Sequence, residues 1–332
     1  MSTRVVGDSW VKTHVLGKGS YGTVYLATNP YSRFIPHIAV KSTIFSNSVS
    51  KFSLKKEEII LSILNGCPEV IQCYGHENTI ECGYGIYNLL LEYAPGGSLS
   101  NLIKNEYGGK IHESHLQSYT RMMLKGLAYI HEKGFVHCDL KPDNILVFPS
   151  RFGISLKIAD FGLSKKAGEC QIYDQNSEDP RYRGTPLYAS PESYFDGIHE
   201  AALDIWSLGC VIIEMFTGKL AWDTKNLDDL TNKMAFTYGP AIPAGLSANG
   251  TDFLKKCLRR SPKERWTAKM LLNHPFMVQD CRSSQSSFTF SRYKSGSLSS
   301  NWLKLMDDDA GQMADSYYTA WDRKQGLSTR VH

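Results

Sequence analysis

The segment His137-Cys138-Asp139-Leu140-Lys141-Pro142-Asp143-Asn144 is followed, after a short β-type run, by Asp160-Phe161-Gly162. In that order and at that spacing, two metal-competent carboxylates, an amide and a lysine converge on one phosphate. Phosphoryl transfer leaves a protein little covalent work: it holds the metal-nucleotide, places an acceptor hydroxyl in line, and neutralises charge spreading over the moving group. Each residue type suits one of these tasks. Asp139 can accept a hydroxyl proton, Lys141 can sit against the γ-phosphate, Asn144 and Asp160 can give magnesium hard oxygen ligands, and Gly162 lets the backbone turn away.

Working outward, the chain before this segment reads as strands and the chain around it as helices. Val11 to Leu16, Thr23 to Ala27 and Ile38 to Ser42 are β-branched and nearly alternating, separated by glycines, prolines and polar turns, which predicts an antiparallel sheet. Leu54 to Leu64 puts Glu57, Ile60, Leu61 and Leu64 on one helical face and stops at Asn65-Gly66. Tyr87 to Glu92 returns to strand, and Ala94 to Ser98 reads as a hinge entering a helix N-cap. Beyond it, Leu116, Tyr119, Met123, Leu127 and Ile130 recur at helical spacing, as a core stripe does. Asp204 to Thr217 is apolar nearly all round and predicts a buried helix ending at Gly218. Leu246 to Arg260 and Thr267 to Leu272 give further helices. The expected fold is α+β and bilobal, with a nucleotide cleft between a small sheet lobe (about 10–93) and a larger helical lobe (about 94–280). Residues 1–9 form an extension, and 281–332 a serine-rich, disordered tail.

Composition narrows the class. With 332 residues, 42% hydrophobic and 21% charged, the chain can build two cores. A formal charge of +4 is too mild to argue for nucleic acid or an anionic membrane. The eight cysteines lack Cys-x-x-Cys or zinc-site spacing and read as reduced, mostly buried thiols. The N-terminus has no apolar signal core, and Leu203 to Phe216 is too short to span a bilayer. The expected location is cytoplasmic, nuclear or both.

Further motifs frame the first. Gly17-Lys18-Gly19-Ser20-Tyr21-Gly22-Thr23-Val24 alone would suit a structural hairpin. Its strand-like sequel opposes a dinucleotide fold and favours a β-hairpin flap over phosphates. Lys41, the polar residue of an apolar strand, needs a partner if buried, and Glu57 lies on the apolar helical face whereas Glu58 points elsewhere. Asp204 reads as an N-cap and as a brace for the catalytic-loop backbone. Glu192 and Arg265 are candidates for a buried bidentate pair tying Ser190-Pro191-Glu192 to the large lobe.

Residues from about Trp10 to Phe276 resemble the eukaryotic protein kinase domain across all these motifs. Lys141, with Thr185 in Gly184-Thr185-Pro186-Leu187-Tyr188, resembles the serine/threonine branch. Ile86 to Ala94, His137-Cys138-Asp139, Arg183 to Tyr188 and Glu264 to Ala268 look like the short plant MEKK-like mitogen-activated protein kinase kinase kinases. The resemblance implies ATP and Mg2+ as cofactors and transfer of the γ-phosphate to protein substrates, namely MAP kinase kinases, in stress or hormone signalling. It makes Leu91 the gatekeeper and brings the backbone of Glu92 and Ala94 to the adenine edge. Val24, Ala39 and Leu146 would sandwich the ring under Leu16, Gly17, Gly19 and Gly22. Two residues depart from the family. Cys138 stands where an arginine usually precedes the catalytic aspartate, so basal activity is expected to depend weakly on activation-segment phosphorylation. Ser190 replaces an alanine, a minor change in volume.

Two other readings compete. A silent kinase-fold scaffold is disfavoured because Lys41, Asp139, Asn144 and Asp160 are all present, and a small-molecule kinase because Asp160 to Glu192 is a full peptide platform. Neither nucleic acid nor a membrane span is expected as a partner, and the oligomeric state stays open. In the tail, Trp302, Leu305 and Met306 share a helical face, which either packs on the large lobe or docks a partner.

Overall fold

The structure, a computed structural model, describes residues 4–6, 10–19, 21–29, 36–105, 109–150, 153–169 and 183–277. The tail readings at Trp302, Leu305 and Met306, and Ser20 of the glycine motif, lie outside these residues.

The small lobe is a six-stranded antiparallel sheet with one helix among the described residues. Its elements are β1 (Arg4–Val6), β2 (Trp10–Gly19), β3 (Gly22–Thr28), β4 (His37–Ile44), α1 (Ser48–Ile63), β5 (Cys73–Glu81) and β6 (Tyr84–Glu92), in sheet order β1-β2-β3-β4-β6-β5. Alternation sorts the side chains. Ala39, Leu89 and Leu91 join the core under α1 with Leu54, Ile60 and Leu61. Ser42 and Asn88, cross-strand partners on the other face, join a polar network instead. There the buried Lys12 ammonium donates to Glu81 Oε1 at 2.6 Å and Asn88 Oδ1 at 2.8 Å. Ser42 Oγ donates to the same Asn88 oxygen, and Asn88 Nδ2 donates to Thr79.

The large lobe begins with α2 (Leu99–Asn105), whose first turn Ser98 caps by accepting from Asn101 N, and α3 (Glu113–Glu132). All five residues of the predicted core stripe on α3 are buried. Then follow β7 (Phe135–Val136), the hairpin β8 (Ile145–Ser150) and β9 (Gly153–Ile158), and β10 (Lys165–Lys166), which pairs with β7. Five helices complete it: α4 (Pro191–Phe195), α5 (Ala201–Thr217), α6 (Leu227–Phe236), α7 (Ala248–Cys257) and α8 (Ala268–Leu272). Helix α5 is buried along most of its length and stops at Gly218, whose φ of 70° is a left-handed cap. It starts at Ala201, so Asp204 sits inside the first turn and is not the N-cap the sequence suggested.

Candidate active site

The three sequence motifs meet where the lobes meet. Lys41 on β4 is 5% exposed, and its Nζ lies 2.7 Å from Glu57 Oε2 and 2.9 Å from Asp160 Oδ1. Glu57 uses its other oxygen to accept from Phe161 N at 3.2 Å, so α1 and the Asp-Phe-Gly turn are joined through one carboxylate. Glu58 is turned away and accepts from Tyr87. Burial pushes the Lys41 pKa down; the charges and hydrogen bonds of Glu57 and Asp160 outweigh it and hold the ammonium well above its ordinary range. Burial likewise opposes the Asp160 charge, but Lys41 beside it leaves the carboxyl below its ordinary value.

The catalytic loop is held from behind by Asp204. Its oxygens accept from His137 N at 2.9 Å and Cys138 N at 3.0 Å and engage His131 Nε2 at 2.8 Å, which fulfils the brace role. This anchorage sustains a positive φ of 69° at Cys138. His137, which sequence reasoning left without a role, contacts Ala159 O through Nε2 at 3.0 Å and sets its ring edge-on to Phe161. The His-x-Asp spacing was the available signal.

In front of this brace, Asp139 is gripped by its neighbours. Its Oδ2 accepts from Asn144 Nδ2 at 3.0 Å and lies 2.9 Å from Lys141 Nζ, while Oδ1 accepts from Thr185 Oγ1 at 2.7 Å. Lys141 also donates to Thr185 Oγ1 at 2.8 Å. A carboxylate, an ammonium and a hydroxyl thus form a triangle that ties the catalytic loop to the Gly184-Thr185-Pro186 segment. The bidentate pair foreseen between Arg265 and Glu192 is present at 2.6 and 3.1 Å.

The other residues expected around a nucleotide lie on neighbouring strands and at the hinge. The glycine motif closes a β2–β3 hairpin, with Gly17 opposite Val24 and Gly19 opposite Gly22, as a flap requires. A Cβ on Gly22 would lie 2.5 Å from Ser42 O, so no other residue fits there. Ala39 and Leu91 are cross-strand partners, and Val24 and Leu146 pack on the same apolar cluster. Leu16 on β2 is left exposed. Lys157 fixes the Glu92 side chain from β9 at 2.8 Å, directing it away, and Ala94 follows at the hinge.

Magnesium fits what the chain offers. Among the described residues no group of three or more His, Cys, Asp or Glu side chains could hold a metal alone. Asp160 Oδ1 is occupied by Lys41 and Gly162 N, which leaves Oδ2 for a ligand, and the carboxylate is 43% exposed. The Asn144 amide nitrogen is spent on Asp139, which leaves its oxygen. One carboxylate and one amide oxygen suit an ion that completes its shell with waters and nucleotide phosphates.

A protein kinase domain model matches residues 10–277, and the chain belongs to the protein kinase family. Arabidopsis thaliana mitogen-activated protein kinase kinase kinase 20 is 42% identical over 279 residues, covering 82% of this chain and 79% of the relative. Kinases 17 and 18 of the same series and organism are each 40% identical over 81% of this chain, covering 69% and 78% of their own lengths. This protein is a serine/threonine kinase of the mitogen-activated protein kinase kinase kinase group, using ATP and Mg2+. No helix among the described residues is long and apolar enough to cross a membrane.

Proposed function

We propose that this kinase phosphorylates serine or threonine on a MAP kinase kinase. Asp139 orients the acceptor hydroxyl and takes its proton, and Lys141 faces the γ-phosphate. Lys41, fixed by Glu57, holds the α- and β-phosphates, and Asp160 and Asn144 hold the metal, which neutralises developing charge on the phosphates. Leu16, Gly17, Gly19, Gly22, Val24, Ala39, Leu91, Leu146 and the backbone of Glu92 and Ala94 enclose the nucleotide. The observation that carries this reading is the intact Lys41–Glu57–Asp160 chain of contacts, the arrangement of a switched-on small lobe. The kinase unit is taken as 10–280, divided near residue 93, with 281–332 as a tail. Six described cysteines are all free, which supports a reducing cytoplasmic or nuclear setting.

A panel of purified, catalytically dead MAP kinase kinases incubated with the kinase and labelled ATP tests the substrate class. Serine or threonine labelling of one or more members by wild-type protein, absent with Asp139→Asn, is expected. Labelling of generic substrates such as casein with none of the panel would sink the substrate class while leaving the kinase activity standing.

A further inference from the structure

Glu57 has a neighbour that the reaction leaves unused. Adjacent residues on a helix point about 100° apart, and the half-buried Glu58 accordingly reaches strands β5 and β6 while Glu57 reaches Lys41 on β4. Glu58 Oε2 accepts from the Tyr87 hydroxyl at 2.5 Å, and Oε1 lies 2.7 Å from His76 Nδ1. The two rings stack on one another, centroids 5.0 Å apart and planes within 16° of parallel. A carboxylate only accepts, so His76 donates through Nδ1, which carries a proton in the imidazolium and in one neutral tautomer alike. Tyr87 is 1% exposed, and burial, followed by the hydrogen bond and charge of Glu58, raises its pKa, so the phenol stays a donor.

Apolar packing alone does not set the rotation of α1. Leu54, Ile60 and Leu61 bury one side of the helix against Leu89 and Leu91, but hydrophobic contact is non-directional and tolerates small turns about the axis. Nor does Lys41 compel Glu57 to stay, because Asp160 at 2.9 Å gives the ammonium a second partner. Glu58 adds two directed hydrogen bonds at another point on the circumference. A helix held at two points about 100° apart cannot turn without breaking one of the contacts.

We propose that Glu58 is a positioning residue for phosphoryl transfer, its carboxylate clasped by Tyr87 and His76 so that α1 keeps Glu57 on Lys41. It acts through Glu57 rather than on the transferred group, a role that rests on the reading that Glu57 fixes Lys41 against the nucleotide phosphates.

The test is a double-mutant cycle on the full-length protein, with kcat and the KM values for Mg-ATP and for the protein acceptor as readouts. Glu58→Ala is expected to lower kcat/KM for Mg-ATP about tenfold, the worth of a hydrogen bond to a charged group, and to leave the acceptor KM unchanged. Tyr87→Phe, which keeps the ring, should give a smaller loss in the same direction. Glu58→Gln should stay near wild type, because its carbonyl accepts from Tyr87 and its amide donates to the other His76 tautomer. In a Glu57→Gln background, already slow, adding Glu58→Ala should change nothing further. A merely structural defect would lower activity by the same factor in both backgrounds. Equal losses in the two backgrounds, or a Glu58→Gln variant as slow as Glu58→Ala, would overturn the clasp. Wild-type turnover in Glu58→Ala beside a crippled Glu57→Gln overturns it too and leaves Glu57 in its place. Full turnover in Glu57→Gln overturns both the clasp and the part given to Glu57.

Discussion

Two of the buried ion pairs among the described residues, one in each lobe, are built differently. In the large lobe, the Arg265 guanidinium meets both Glu192 oxygens, donates as well to the carbonyls of Arg259, Arg260 and Ala202, and lies over the Trp206 ring. In the small lobe, Lys41 meets one oxygen of Glu57 and one of Asp160, and Glu57 rides on a helix packed along one side only. On the other side of α1, Val49, Phe52, Ile59 and Ile63 are exposed, Phe52 by 72%. The first pair is anchored from every direction. The second lasts only while α1 stays seated, so the groups that position nucleotide can be separated by moving one helix.

The largest effects should come from breaking the small-lobe pair, and they should be kinetic. Asp160→Asn and Lys41→Met are each expected to lower phosphoryl transfer at least about a thousandfold, some 4 kcal/mol of transition-state stabilisation, because charge opposing the migrating phosphate is lost. Their melts should stay cooperative, Asp160→Asn close to wild type and Lys41→Met somewhat lower because the buried Glu57 loses its partner but keeps the Phe161 amide. Steady-state kinetics beside calorimetry checks both halves, and full turnover in either variant contradicts the assignment.

Breaking the large-lobe pair should act the other way. Arg265→Ala strands Glu192 in the interior and should destabilise by about 3–5 kcal/mol, lowering the melting temperature by roughly 10 °C. If Lys41→Met lowers it as much, the contrast between the pairs is wrong.

A third prediction uses His199, which is 2% exposed close to the large-lobe pair. Burial first, then Arg183 and Lys165, push its pKa down to about 4. The folded form therefore resists a proton that the unfolded chain accepts near 6.5. Stability on this account is fully present above about 6.5 and falls as pH drops towards 4, by on the order of 2 kcal/mol. Denaturant melts of His199→Gln should show a shallower acid limb across that window; an unchanged slope would remove His199 from the account.

The smallest effect concerns Ser190, two residues ahead of Glu192. Its hydroxyl is buried without a hydrogen-bond partner among the described residues, so the change from alanine is more than one of volume. Ser190→Ala should stabilise by about 1 kcal/mol, a rise of a few degrees. A lower melting temperature would mean that the hydroxyl has a partner.

The site was legible because its chemistry lies in short motifs with fixed spacing, and Glu57 could be preferred over Glu58 from helical geometry alone. Elements whose buried side carries polar groups were not legible. Strand β5 has the sequence Cys73-Tyr74-Gly75-His76-Glu77-Asn78-Thr79-Ile80-Glu81, and it turns Thr79 and Glu81 towards Lys12 and Asn88, so no apolar alternation betrays it. Helix α1 begins at Ser48, capped by Asn47, six residues before the apolar stripe that announces it.

The Lys12 network also orders the birth of the small lobe. The ammonium's partners lie 69 and 76 residues further along the chain. During synthesis β2 and β3 emerge first and bring the Tyr25 ring under the ammonium, 5.0 Å from its centroid, while both of these oxygen acceptors are still to be made. The polar network that ties the first long strand to the last is therefore complete only once the whole sheet has been made.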